Sequence, residues 1–144
     1  VSDPRFRILL IEDNAADVYL FRKALEGAEL QFDLTVIPDG SQAIALVGRM
    51  ERSEDGANPL PHLVLMDLNL PKNGGVDVLR TMRQSSAFSS VPVVITSSSS
   101  SPHDKALVQA LGITRYLEKP PDLDDFLNLG FVLKEILEEN RSPT

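Results

Sequence analysis

Leu63-Val64-Leu65-Met66-Asp67-Leu68-Asn69-Leu70-Pro71 is the stretch whose reading decides the fold. Four consecutive apolar residues read as a strand covered on both faces, and the strand delivers Asp67 into a loop. A second run, Arg7-Ile8-Leu9-Leu10-Ile11-Glu12-Asp13-Asn14, ends in acids in the same way. Two parallel strands would bring Glu12, Asp13 and Asp67 together at one sheet edge. In open α/β sheets ligands bind beyond the carboxyl ends of the strands, where the strand order reverses.

Working outward, apolar runs and helical periodicity alternate five times along the chain. The pattern predicts strand then helix over Phe6–Ile11 and Ala15–Glu26, Asp33–Ile37 and Ser41–Arg52, and Leu63–Met66 and Val76–Gln84. It continues with Val91–Thr96 and Pro102–Leu111, then Arg115–Leu117 and Leu123–Glu139. Such alternation predicts an α/β fold, a doubly wound five-stranded parallel sheet flanked by five helices. Strands one, three and four are nearly continuous apolar runs and belong in the centre, whereas strands two and five are short or mixed and suit the edges. Ser41, Pro102 and Asp122 mark helix starts. Val18, Phe21 and Leu25 form the buried face of the first helix. Residues 51–61 are polar and broken by Gly and Pro, which predicts a long loop.

The chain has 144 residues and a mass of 15.8 kDa, which predicts one domain spanning 1–144 with its core at 6–139 and no effector domain. A net charge of −7 argues against nucleic acid as a partner. With no cysteine there is neither a disulfide framework nor a thiolate metal site. No apolar run reaches membrane-span length and no export signal opens the sequence, so no membrane contact and a cytoplasmic location are expected.

Three carboxylates within a few ångströms repel one another by roughly 4 kcal/mol per pair at an effective dielectric near 20. A cation must compensate, or one acid must keep a proton. A hard divalent ion such as Mg2+ suits such a site, and an aspartate beside it is a competent phosphoryl acceptor. Lys119, just past the fifth strand, is placed to balance phosphoryl charge. Ser97, just past the fourth, offers a hydroxyl to a phosphoryl oxygen.

Glu12-Asp13, Asp67, Ser97 and Lys119-Pro120 occur in order, each at the C-terminal end of a strand, with Ser97 30 and Lys119 52 residues beyond Asp67. In this the chain resembles the receiver domains of two-component response regulators, which accept phosphate from histidine kinases. The resemblance spans residues 6 to 139 and implies a flavodoxin-like sheet of order 2-1-3-4-5. It implies Asp67 as phosphoacceptor, with Mg2+ held by Asp13, Asp67, the backbone carbonyl of Asn69 and Glu12, the last partly through water. It further implies Ser97 as switch hydroxyl, Tyr116 as its coupled aromatic, Lys119 as phosphoryl-binding cation and a cis peptide before Pro120. Such a protein is a phosphorylation-switched signalling protein rather than an enzyme, at most catalysing its own phosphotransfer and dephosphorylation. The first acid is Glu where Asp is common and the switch residue Ser where Thr is common, both variations the family tolerates. Thr96 is an adjacent hydroxyl, and a one-residue slip would exchange it with Ser97. Ile11–Val18, Asp67–Lys72 and the 51–61 loop look most like stand-alone receivers paired with bacterial phytochrome-type kinases. The implied partner is therefore a sensor histidine kinase of that type.

Other readings carry less. A small phosphohydrolase of the haloacid-dehalogenase type also uses a strand-end Asp with Mg2+, but it needs a second acid where Asn69 stands. Gly74-Gly75 fits neither phosphate-loop pattern and reads as a turn opening the third helix. The serine run lacks GxSxG. His62 and His103 are expected at the surface without a role. Plotted as a helix, residues 123–139 show two apolar stripes, Phe126, Leu133 and Leu137 on one and Leu129, Val132 and Ile136 on the other. One stripe suffices for a core, so the second predicts a homodimer, with a broader core contact as the alternative; the resemblance to receivers implies pairing through helix four, strand five and helix five.

Overall fold

The computed structural model describes residues 5–52, 59–72, 74–98 and 101–140. The predicted 51–61 loop therefore lies largely outside the described residues. Ten elements follow one another: β1 (Phe6–Ile11), α1 (Ala15–Gly27), β2 (Phe32–Ile37), α2 (Gly40–Arg52), β3 (Leu63–Asp67), α3 (Gly75–Gln84), β4 (Val93–Ser97), α4 (Pro102–Leu111), β5 (Arg115–Glu118) and α5 (Leu123–Glu139). The strands form one sheet of order β2-β1-β3-β4-β5, parallel throughout. The order reverses between β1 and β3, so a crevice forms at their carboxyl ends.

Alternate side chains of the central strands feed two cores. Leu9, Ile11, Val64, Met66, Val93 and Ile95 pack with α2, α3 and α4. Ile8, Leu10, Leu63, Leu65 and Val94 pack with α1 and α5. Every residue of β3 and β4 is buried, while β2 and β5 alternate or lie half open at the edges, as their mixed composition requires.

Two boundaries moved for identifiable reasons. The fourth strand begins at Val93 rather than Val91, because Pro92 has no N–H for the ladder and contributes its carbonyl to Val64 N–H at 2.9 Å. The second helix is capped by Asp39 rather than Ser41: the Asp39 carboxylate accepts from the Gln42 N–H at 2.8 Å and the Ser41 hydroxyl at 2.9 Å. Asp122 caps α5 as expected, and Ser101 caps α4 with Pro102 in its first turn.

The spare stripe on α5 has a different explanation from the one its pattern suggested. Leu129 and Ile136 are buried and Val132 packs against the same core. α1 lies against α5, with Phe21 and Phe126 rings 4.8 Å apart. Gly130 permits the approach, since a Cβ there would run into the Ala24 carbonyl. The large apolar side chains that α5 does expose, Leu123 and Phe131, border the α1 seam with Tyr19. The expectation of a homodimer then rests on the resemblance alone. His62 also has a role: half-buried, its Nδ1 accepts the Arg7 N–H at 2.8 Å and its ring meets Phe6 edge-on.

Candidate functional site

Ladder hydrogen bonds running past the strand ends set the site. Glu12 N–H donates to the Ile37 carbonyl at 3.0 Å, Leu68 N–H to Thr96 at 2.9 Å, and Lys119 N–H to Ser97 at 2.8 Å. The first residues after β1, β3 and β5 are thus held on the sheet, which brings the Glu12, Asp67 and Lys119 side chains together at its C-terminal edge. Gly75 lets the β3–α3 turn close, because a Cβ there would stand 2.9 Å from the Leu68 backbone and 3.0 Å from the Asp67 carbonyl.

Lys119 is the centre of the arrangement. Its ammonium donates to Glu12 Oε1 at 2.7 Å, Asp17 Oδ2 at 2.8 Å and Asp67 Oδ2 at 2.9 Å. The second oxygen of Asp67 accepts the Asn69 N–H at 2.8 Å, and that of Glu12 accepts the Asn14 N–H at 3.2 Å. Glu12, Asp13 and Asp67 each offer a carboxylate oxygen, all within 4.8 Å of one another, with Glu12 and Asp67 buried and Asp13 exposed. Burial pushes the Glu12 carboxyl up from 4.5 to about 7; the Lys119 hydrogen bond opposes that rise and the Asp67 charge adds to it. For Lys119, burial alone would favour the neutral amine, but hydrogen bonds to Asp17, Glu12 and Asp67 outweigh it and hold the group above the ordinary lysine value. Three acidic oxygen donors, one open to solvent, suit a hard divalent cation that keeps part of its water shell.

The remaining predicted residues divide. Ser97 is fully buried, and its Oγ accepts from Asn69 Nδ2 at a long 3.4 Å. Thr96 is equally buried, and its hydroxyl donates to the Met66 carbonyl on the neighbouring strand at 3.4 Å. Tyr116 is half-buried on β5 beside the α2–α4 core, with the Lys105 ammonium 5.3 Å from its ring centre. Among the described residues no peptide is cis, so the expected cis bond before Pro120 is trans, the form an X–Pro bond prefers by about 0.5–1 kcal/mol.

One residue at the site was missed. Asp17 stands in the first turn of α1, its N–H bonded to the capping Asn14 Oδ1 at 3.1 Å, and its carboxylate reaches Lys119. An acid in a first helical turn is ordinary on dipole grounds, so it gave no separate signal.

Residues 8–129 match the family described as response regulator receiver domain. The chain belongs to that family. Response regulator Rcp1 of Synechocystis sp. is 33% identical over 128 residues, covering 89% of this chain and 86% of that protein. The crystal structure of the phosphorylated cyanobacterial phytochrome response regulator RcpA superposes with a TM-score of 0.84 at 28% identity, covering 97% of this chain and 99% of that one. The Mn(2+)-bound form of Rcp1 gives a TM-score of 0.83 at 31% identity over 96% and 99% of the two chains. Membership of the receiver family displaces the phosphohydrolase alternative. Among the described residues of this receiver, no helix is long and apolar enough to cross a membrane.

Proposed function

We propose that this receiver takes a phosphoryl group from the phosphohistidine of a sensor histidine kinase onto Asp67, and that the phosphorylated form signals by protein contact. The observation that carries this is Asp67 at the end of β3, 2.9 Å from the Lys119 ammonium and within the acidic cluster of Glu12 and Asp13. Likeness to a phytochrome response regulator supports a kinase of the phytochrome type. The working unit is the single domain with its core at 6–139, acting in the cytoplasm, with any homodimer formed through α4, β5 and α5.

Asp13, Asp67, the Asn69 carbonyl and Glu12, the last partly through water, are the residues we assign to Mg2+. When bound, Mg2+ neutralises charge developing on the transferred group. An Asp67 oxygen attacks phosphorus in line as the N–P bond of the phosphohistidine breaks, and the imidazole leaves with the bonding pair. The Asn69 N–H holds one Asp67 oxygen in place and so orients the other. Lys119 turns an N–H to a phosphoryl oxygen, and the Ser97 hydroxyl donates to another. Ser97 moves inward as it does so, Tyr116 follows, and the α4–β5–α5 face changes its partner preference.

Incubation with acetyl phosphate and Mg2+, followed by intact-mass measurement, tests the reading. A lasting gain of one phosphoryl group supports it. Steady release of phosphate without an adduct would point to a hydrolase, and no reaction to a binding module.

A further inference from the structure

A lysine ammonium has three N–H donors and no acceptor. All three of Lys119's are engaged by carboxylates: Glu12, Asp17 and Asp67. Glu12 and Asp67 belong to the acidic cluster, and Asp17 does not. Asp17 comes from another element, with its backbone fixed by the cap of α1, so it reaches the lysine from a rigid base.

If Asp67 is the phosphoacceptor, as proposed above, one of these donors must be released so that Lys119 can meet a phosphoryl oxygen. The three partners differ in how readily they let go. The donor on Asp67 Oδ2 stays with that oxygen until it bonds to phosphorus, too late to meet the incoming group. The Glu12 side chain has no exposure, so turning the donor away from it strands a buried carboxylate. The Asp17 side chain is 20% exposed, and water can replace the ammonium there.

We propose that Asp17 is a positioning residue that holds the Lys119 ammonium and competes with the incoming phosphoryl group for it. Its carboxylate must yield before transfer, so it slows phosphorylation. Once Asp67 is phosphorylated the lysine has already left Asp17, so the loss of phosphate is indifferent to it.

With acetyl phosphate as donor, an Asp67 oxygen bonds to phosphorus as the P–O bond to acetate breaks, and acetate leaves with the bonding pair. The test measures two rate constants by intact mass in the whole chain with Mg2+: gain of the phosphoryl group from acetyl phosphate, and its loss after the donor is removed. Asp17→Asn keeps a hydrogen-bond acceptor without the charge, and should speed the gain about two- to fivefold, the factor expected of a partly exposed ion pair, with the loss unchanged. Asp17→Ser should act in the same direction and serves where Asp17→Asn does not fold. Asp17→Glu, which restores the charge, should return the gain toward the wild-type value. A gain no faster in Asp17→Asn and Asp17→Ser than in wild type, or gain and loss changing by one common factor, would overturn the competition. A wild-type chain that takes no phosphoryl group would instead overturn the reading of Asp67, and this proposal with it.

Discussion

The two ends of the central strands solve the same problem in opposite ways. At the N-terminal end, polar groups are paired without crowding: Arg7 N–H donates to His62 Nδ1 at 2.8 Å, His62 N–H returns to the Arg7 carbonyl at 2.8 Å, and Arg7 Nε donates to the Leu60 carbonyl at 2.9 Å. At the C-terminal end, Glu12, Asp17 and Asp67 surround one lysine, with Asp13 close by. The first end is satisfied within the chain. The second holds more negative charge than its one cation balances, which suits it to bind a further cation. Stability should therefore depend on every pairing at the first end, whereas at the second it should fall when the cation is removed and rise when an exposed acid is.

The comparison breaks most sharply at Lys119. Lys119→Met leaves buried carboxylates without their cation and should cost about 3 kcal/mol in urea unfolding of metal-free protein, the low end for a broken buried pair because Glu12 can take up a proton. A variant as stable as wild type would mean that the lysine does not balance the cluster.

The Glu12 carboxyl sharpens the contrast through pH. Its folded value of about 7 exceeds the ordinary 4.5, so between them the native state binds more protons than the unfolded chain. In chelator, this group's contribution should fall as pH rises from 4.5 toward about 7 and then level off. Comparing wild type with Glu12→Gln by urea titration across that window isolates the slope, which the variant should lack.

At the opposite end, His62→Ala strands the Arg7 N–H and should lower stability by about 1–2 kcal/mol. Urea titration reads that loss, and calorimetry should show Mg2+ affinity unchanged. The smallest effect belongs to Asp13→Ala. Relief of like charge at an exposed position should raise metal-free stability by less than about 1 kcal/mol, while Mg2+ binding weakens strongly. A variant that binds Mg2+ as tightly as wild type would remove Asp13 from the assigned ligands.

Much of this was legible along the chain because parallel strands turn sequence order into spatial convergence. Leu63–Asp67 and Phe6–Ile11 are apolar enough to be central, so whatever follows them must lie at one edge. Glu12, Asp13, Asp67, Ser97 and Lys119 could be placed together for that reason. What stayed hidden depends on contacts between elements that periodicity does not encode. The angular plot of α5 separated its two stripes but could not show that α1 covers the second, although Gly130 in mid-helix is the residue type that lets another backbone approach. Asp17 looked like any first-turn acid, and only the path of Lys119 from β5 across to α1 distinguishes it. Ser41 and Asp39 are both good caps, and the competition was decided by which side chain the α2 backbone could reach.

The account depends above all on Asp67 receiving the phosphoryl group. Intact-mass measurement of wild type and Asp67→Asn, each folded by circular dichroism and incubated with acetyl phosphate and Mg2+, tests that most directly. The account predicts a gain of one phosphoryl group in wild type and none in Asp67→Asn. An adduct persisting on Asp67→Asn would contradict it.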